Sequence, residues 1–193
     1  YRHLVPSADG ELRLRFTSGW EPIQTSREAI VQAIEVMPEL KPTIRINVGA
    51  DMPWVDWNSF EWSADTGFIG GATITSDAPV TQASPTLYDQ ALYQTARSAP
   101  SFQYQIAAPP GLYSVHLKFA ELWLQEPGGR PMGVAVNGRL IRENWDPATS
   151  AGELGMSADV RTDSIAPDAD GNITIAVTSA GGADAILQAI EIV

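Results

Sequence analysis

The chain has 193 residues, enough at roughly 150 residues per domain for one domain and a remainder. Its 12 basic and 23 acidic residues leave a net charge of −11, which disfavours both a nucleic-acid partner, whose backbone needs a basic face, and an anionic membrane surface. The lack of cysteine excludes disulfides, thiolate zinc sites and cysteine nucleophiles. With only His3 and His116, far apart in sequence, no metal or other cofactor is expected.

Residues 1–10 hold no apolar stretch of the leader type, and no apolar run reaches the roughly 18 residues of a membrane span. The segment Asp9-Gly10-Glu11-Leu12-Arg13-Leu14-Arg15-Phe16-Thr17-Ser18 aligns with Asp170-Gly171-Asn172-Ile173-Thr174-Ile175-Ala176-Val177-Thr178-Ser179. Both read as a turn and a strand. Ala29-Ile30-Val31-Gln32-Ala33-Ile34-Glu35-Val36 then aligns with Ala185-Ile186-Leu187-Gln188-Ala189-Ile190-Glu191-Ile192, with six of eight positions identical. The simplest reading is a tandem array with a period of one domain. Residues 1–36 are then the last strands of a preceding copy, residues 37–42 a proline-bearing linker, and residues 43–193 one complete copy. The alternative is an N-terminal extension within a single fold. Two strands alone are marginal in water, so this piece must pack on something, in cis or on another chain.

From Thr43 onward the pattern is short strands between turns. Ile44, Ile46 and Val48 alternate up to Gly49-Ala50-Asp51. Trp54, Trp57, Phe60, Trp62 and Phe68 follow, interleaved with Asp51, Asp56, Glu61 and Asp65. Pro109-Pro110-Gly111 leads into Tyr113, Val115, Leu117 and Phe119, which share one face. Ser114, His116 and Lys118 share the other. Val134 and Val136 precede Asn137-Gly138, a strong hairpin signal, and Arg139-Leu140-Ile141 returns. Trp145 is placed in a loop, Glu143-Asn144-Trp145-Asp146-Pro147. Asp168-x-Asp170-Gly171-Asn172 reads as a turn rather than a calcium loop, because it lacks the terminal glutamate. Ile173, Ile175 and Val177 form a last inward row. No capped helical period stands out after residue 43. The fold expected is all-β, an antiparallel two-sheet sandwich of jelly-roll type.

Aromatic faces among carboxylates and amides suit a neutral sugar, although most such rings serve as core. Trp123 stands apart, past a strand end and beside Gln125-Glu126-Pro127-Gly128-Gly129, where loops mount binding sites. No carboxylate pair is fixed across a cleft for glycoside hydrolysis, and no G-x-S-x-G elbow supports His116 with Ser114 or Ser98 as base and nucleophile. No enzyme is expected.

Several blocks together resemble the malectin domain, a carbohydrate-binding β-sandwich. They are Ile46-Asn47-Val48-Gly49, Trp62-Ser63-Ala64-Asp65-Thr66-Gly67-Phe68, Leu92-Tyr93-Gln94-Thr95-Ala96-Arg97, Lys118-Phe119-Ala120-Glu121, Val136-Asn137-Gly138 and Ala189-Ile190-Glu191-Ile192. The resemblance covers residues 44–193, and residues 5–36 resemble the tail of the same domain. It implies a non-catalytic module of a secreted or cell-surface protein, with glucose-type glycans as partners. Its sugar contacts carry over to Trp123, which keeps an aromatic, to Leu124, which does not, and to Asp184. A tyrosine position falls on Ser98, and another lies near Phe68. The alternative function is a structural repeat of a tandem extracellular array, with neighbouring repeats or copies of itself as partners and no retained sugar site.

Overall fold

The computed structural model describes residues 42–81 and 87–193, together with Leu14, Val31 and Ile34. The chain divides into two compact units, Tyr1–Leu40 and Lys41–Val193. The expectation that residues 1–36 are the last strands of a preceding copy falls outside the described residues.

The second unit is built on two antiparallel sheets. One has four strands in the order β1 (Ile44–Asn47), β14 (Ala189–Ile192), β8 (Tyr113–Lys118), β11 (Val160–Ile165). The other has five, in the order β10 (Arg139–Trp145), β9 (Met132–Val136), β12 (Asn172–Ser179), β7 (Ser101–Ala107), β4 (Phe68–Ile69). Period-two alternation makes these strands. β8 buries Tyr113, Val115 and Leu117 and leaves Ser114, His116 and Lys118 half-buried on its other face. β7 does the same with Phe102, Tyr104 and Ile106, and β12 with Ile173, Ile175 and Val177. All nine of these apolar side chains belong to one core cluster between the layers. Each large side chain removed from water there contributes about 1.5–3 kcal/mol.

A three-stranded sheet, β13 (Ala185–Leu187), β6 (Thr95–Ala99), β5 (Ala72–Thr75), adds Ala96, Ala185, Ile186 and Leu187 to the same core. A hairpin, β2 (Trp54–Val55) with β3 (Glu61–Trp62), precedes it. Trp62 anchors a second cluster with Val80, Leu92 and Tyr93, the last two on a 3-10 turn, Leu87–Tyr93.

The hairpin expected at Asn137-Gly138 joins β9 to β10, with φ of 48° and 74° at its two central residues. Those left-handed angles match the strand twist, and Asn and Gly adopt them most readily. Asp168 forms the expected turn, its Oδ1 accepting from the main-chain N–H of Asp170 and Asn172.

Two local readings are corrected. Trp145 ends β10 and is not in a loop; its ring meets Phe119 edge-on with centroids 5.0 Å apart. A short helix, α1 (Pro147–Ala151), follows it. Asp146 caps this helix by accepting from Thr149 N–H, proline occupies its first turn, and Gly152 ends it at φ 99°. One and a half turns are too few for a helical period to register in the sequence.

Candidate carbohydrate-binding site

The Trp123 loop begins where β8 ends. Phe119 and Ala120 continue the buried run, and Glu121 then places a carboxylate in the interior. Its Oε1 accepts from the main-chain N–H of Trp123 at 2.9 Å and of Leu124 at 3.0 Å. Arg130 closes the base of this loop, its Nε lying 2.5 Å from Glu121 Oε2 and its Nη2 3.3 Å from Oε1. The two side chains are 1% and 4% exposed, so the pair is a buried one. Arg130 also donates its main-chain N–H to Asp146 Oδ2 at 2.9 Å and its Nη1 to the carbonyl of Asp184.

The Trp123 indole donates Nε1–H to the carbonyl of Thr75, the last residue of β5, at 3.1 Å, and its ring packs partly buried on the core. Leu124 folds back over its own loop, so close that a Cβ at Gly129 would stand 2.9 Å from its Cδ1. The turn before β13 runs beside the far side of the loop. Ala180 N–H bonds Pro131 O at 2.8 Å and Ala183 N–H bonds Gly129 O at 3.0 Å. Asp184 is exposed at the end of that turn. Ser98 is half-buried in β6, where Ile186 and Ala72 are its register partners.

Ser98 and the Asp184 turn thus meet the three-stranded sheet at the Ala99 end of β6, and the Trp123 indole meets it at the Thr95 end, through Thr75. Phe68 belongs to a different network. Its ring lies under the Arg97 guanidinium, with 3.4 Å from Cζ to the ring centroid, and meets Tyr104 edge-on at 6.5 Å. Arg97 donates from Nε and Nη2 to Asp65 Oδ2, at 3.1 and 2.6 Å, and from Nη1 to Gly71 O at 2.8 Å. Tyr104 donates its hydroxyl to Asp65 Oδ1 at 2.7 Å. Burial, and after it the Asp65 charge, push the Tyr104 phenol far above its ordinary value, so it stays a donor. Neighbours along one strand point to opposite faces, so Arg97 and Ser98 do not share one.

Other polar groups weighed for chemistry are paired elsewhere. Ser114 donates to Asp163 Oδ1 at 2.5 Å, and His116 Nδ1 faces Glu191 Oε2 at 3.6 Å. Among the described residues, no group of three or more His, Asp or Glu is placed to hold a metal ion. No described helix is long and apolar enough to cross a membrane.

Antiparallel sheets packed around one core define a β-sandwich module. The family model of the malectin domain matches residues 43–190, and the chain belongs to that family. No curated protein matches it. Among solved structures, the ANX2 ectodomain from Arabidopsis thaliana superposes with a TM-score of 0.65 at 19% identity, over 77% of this chain and 48% of that one. The plant receptor-like kinase FER gives the same values. A beta-glucuronidase from Bacteroides uniformis gives 0.64 at 23% identity, over 78% of this chain and 18% of that one. The chain therefore spans less than half of each of these relatives, and the likeness to them is one of fold.

Proposed function

We propose that residues 43–193 form a non-catalytic module that binds neutral, glucose-type oligosaccharides between the Trp123 loop and the Asp184 turn. The observation that supports this reading is the bonding of the two segments, Ala180 and Ala183 of the turn to Pro131 and Gly129 at the end of the loop, with the Trp123 indole anchored on Thr75 and the Asp184 side chain exposed. The indole face takes the C–H face of a pyranose. The Asp184 carboxylate and loop amides accept and donate to its hydroxyls. The indole N–H is already committed to Thr75, so Trp123 contributes by stacking rather than by donation.

One stacked ring contributes about 0.5–1.5 kcal/mol beyond area burial, which makes a single site a micromolar-to-millimolar binder. The test is titration of a glucan oligosaccharide panel against wild type and Trp123→Ala. A loss of about 3- to 10-fold or more supports the reading. Equal binding by both proteins, or none by either, defeats it. The ectodomain relatives favour an extracellular or cell-surface setting for this module as well.

The second reading is an assembly repeat, preceded by the tail of another copy in residues 1–36. It draws on Leu124 folding onto Gly129 and on the hydroxyl at Ser98, both at positions where the resemblance implies rings. It predicts that no oligosaccharide binds and that longer chains with more copies associate.

A further inference from the structure

The Glu121–Arg130 ion pair is buried at the base of the Trp123 loop. A buried pair of opposite charges seldom stabilises a protein more than apolar residues of the same size, because both groups give up their hydration. Glu121 and Arg130 are nonetheless arranged so that, bonded to each other, they also reach three separate segments. One carboxylate oxygen serves the two consecutive N–H groups of Trp123 and Leu124. The guanidinium spans from that carboxylate to the carbonyl of Asp184, 54 residues further on. Asp146 fixes the Arg130 backbone from a third direction. The planar fork of arginine reaches two acceptors at once, whereas a lysine ammonium on a flexible stem is a single point charge.

We infer that Glu121 and Arg130 are the positioning residues of the glycan site. They set the Trp123 loop against the Asp184 turn, and their charge serves placement rather than stability. This rests on the reading of that loop and turn as the glycan site.

Two variants test it. Arg130→Lys keeps a cation near Glu121 but loses the fork. Glu121→Gln/Arg130→Met removes both charges while Gln keeps an acceptor for the Trp123 and Leu124 N–H groups. Three readouts are needed: melting temperature, amide hydrogen exchange at Ala180 and Ala183, and affinity for the glucan oligosaccharide that wild type binds best. Both variants are expected to melt within a few degrees of wild type, to exchange Ala180 and Ala183 at least tenfold faster, and to bind at least fivefold more weakly. Trp123→Ala is expected to lose affinity with those two amides still protected. Unchanged protection and affinity in both variants overturn the inference. So does a double variant that fails to fold, since the pair would then be a stabilising one. If wild type binds no oligosaccharide, the functional reading fails, and amide protection alone still decides whether the pair sets the two segments.

Discussion

Replacing Asp65 by alanine is the sharpest test of how β6 and β7 are tied together. The substitution leaves the Arg97 guanidinium without its carboxylate and the Tyr104 hydroxyl without its acceptor. The two charged side chains are only 7% and 5% exposed, which puts them in the buried regime. There, removing one partner costs about 3–5 kcal/mol because the other charge remains uncompensated. An orphaned buried hydroxyl adds about 1–3 kcal/mol. The two losses share one carboxylate and do not sum, so the net expectation is about 4 kcal/mol. With an m-value of about 2 kcal/mol/M, the urea midpoint falls by about 2 M. The melting temperature falls by roughly 8–16 °C for a unit of this size. Asp65→Asn keeps an acceptor for Tyr104 and should lose less. The control is Arg161→Ala, which breaks the exposed pair of Arg161 with Asp163 and should barely shift the midpoint. If Asp65→Ala moves the midpoint no further than that control, the reasoning from burial is wrong.

Gly49 turns the chain at φ 79°, and a Cβ there would lie 2.6 Å from Ala96 O, 2.8 Å from its C and 2.9 Å from its N. Gly49→Ala should therefore cost more than Gly138→Ala, which has φ 74° but nothing within 4 Å. Thermal melts should show only the left-handed strain, about 1–2 kcal/mol, for Gly138 and clearly more for Gly49. Burial acts to raise the Asp146 pKa, but main-chain N–H bonds from Thr149, Arg130 and Gly128 outweigh it and hold the group below the ordinary carboxylate value. Such a group adds stability that is complete above its unfolded pKa of about 3.9 and is lost as pH falls through the folded one. Urea midpoints measured from pH 6 down to pH 2 should show an acid-side loss in wild type that is smaller in Asp146→Asn. Asp56 Oδ2 takes the Trp62 indole N–H at 3.0 Å, and its Oδ1 takes Asn58 N–H and Phe60 N–H at 2.9 Å each. Asp56→Ala should lower stability by about 2 kcal/mol and make residues 56–60 a site of limited proteolysis.

The layers were legible because their signal is periodic and dense. Tyr113, Val115 and Leu117 face inward as their spacing requires, and Asn137-Gly138 turns where the dipeptide says it must. The short helix was not, since its signal is a pair of caps, Asp146 and Gly152, around five residues. The Trp54 to Phe68 group shows another limit. Trp62 is buried, while Trp54, Trp57, Phe60 and Phe68 stand at the surface, and composition alone does not sort them. Around the candidate site, the sequence singled out Trp123, Leu124, Asp184, Ser98 and Phe68 and gave no role to Glu121, Arg130 or Arg97. A faint signal was present. Glu121 directly extends the apolar run of β8, and Arg97 sits inside a strand, places where a charge is costly unless it has a partner. The partners lie 9 and 32 residues away, a separation that no local pattern reveals.

The ladder that pairs Ile44 with Ile192 brings the first and last strands of this unit together. The two ends of the unit are therefore immediate neighbours, about 5 Å apart. Neighbouring ends are what allow a unit to be set into a surface loop of another chain with little disturbance to it.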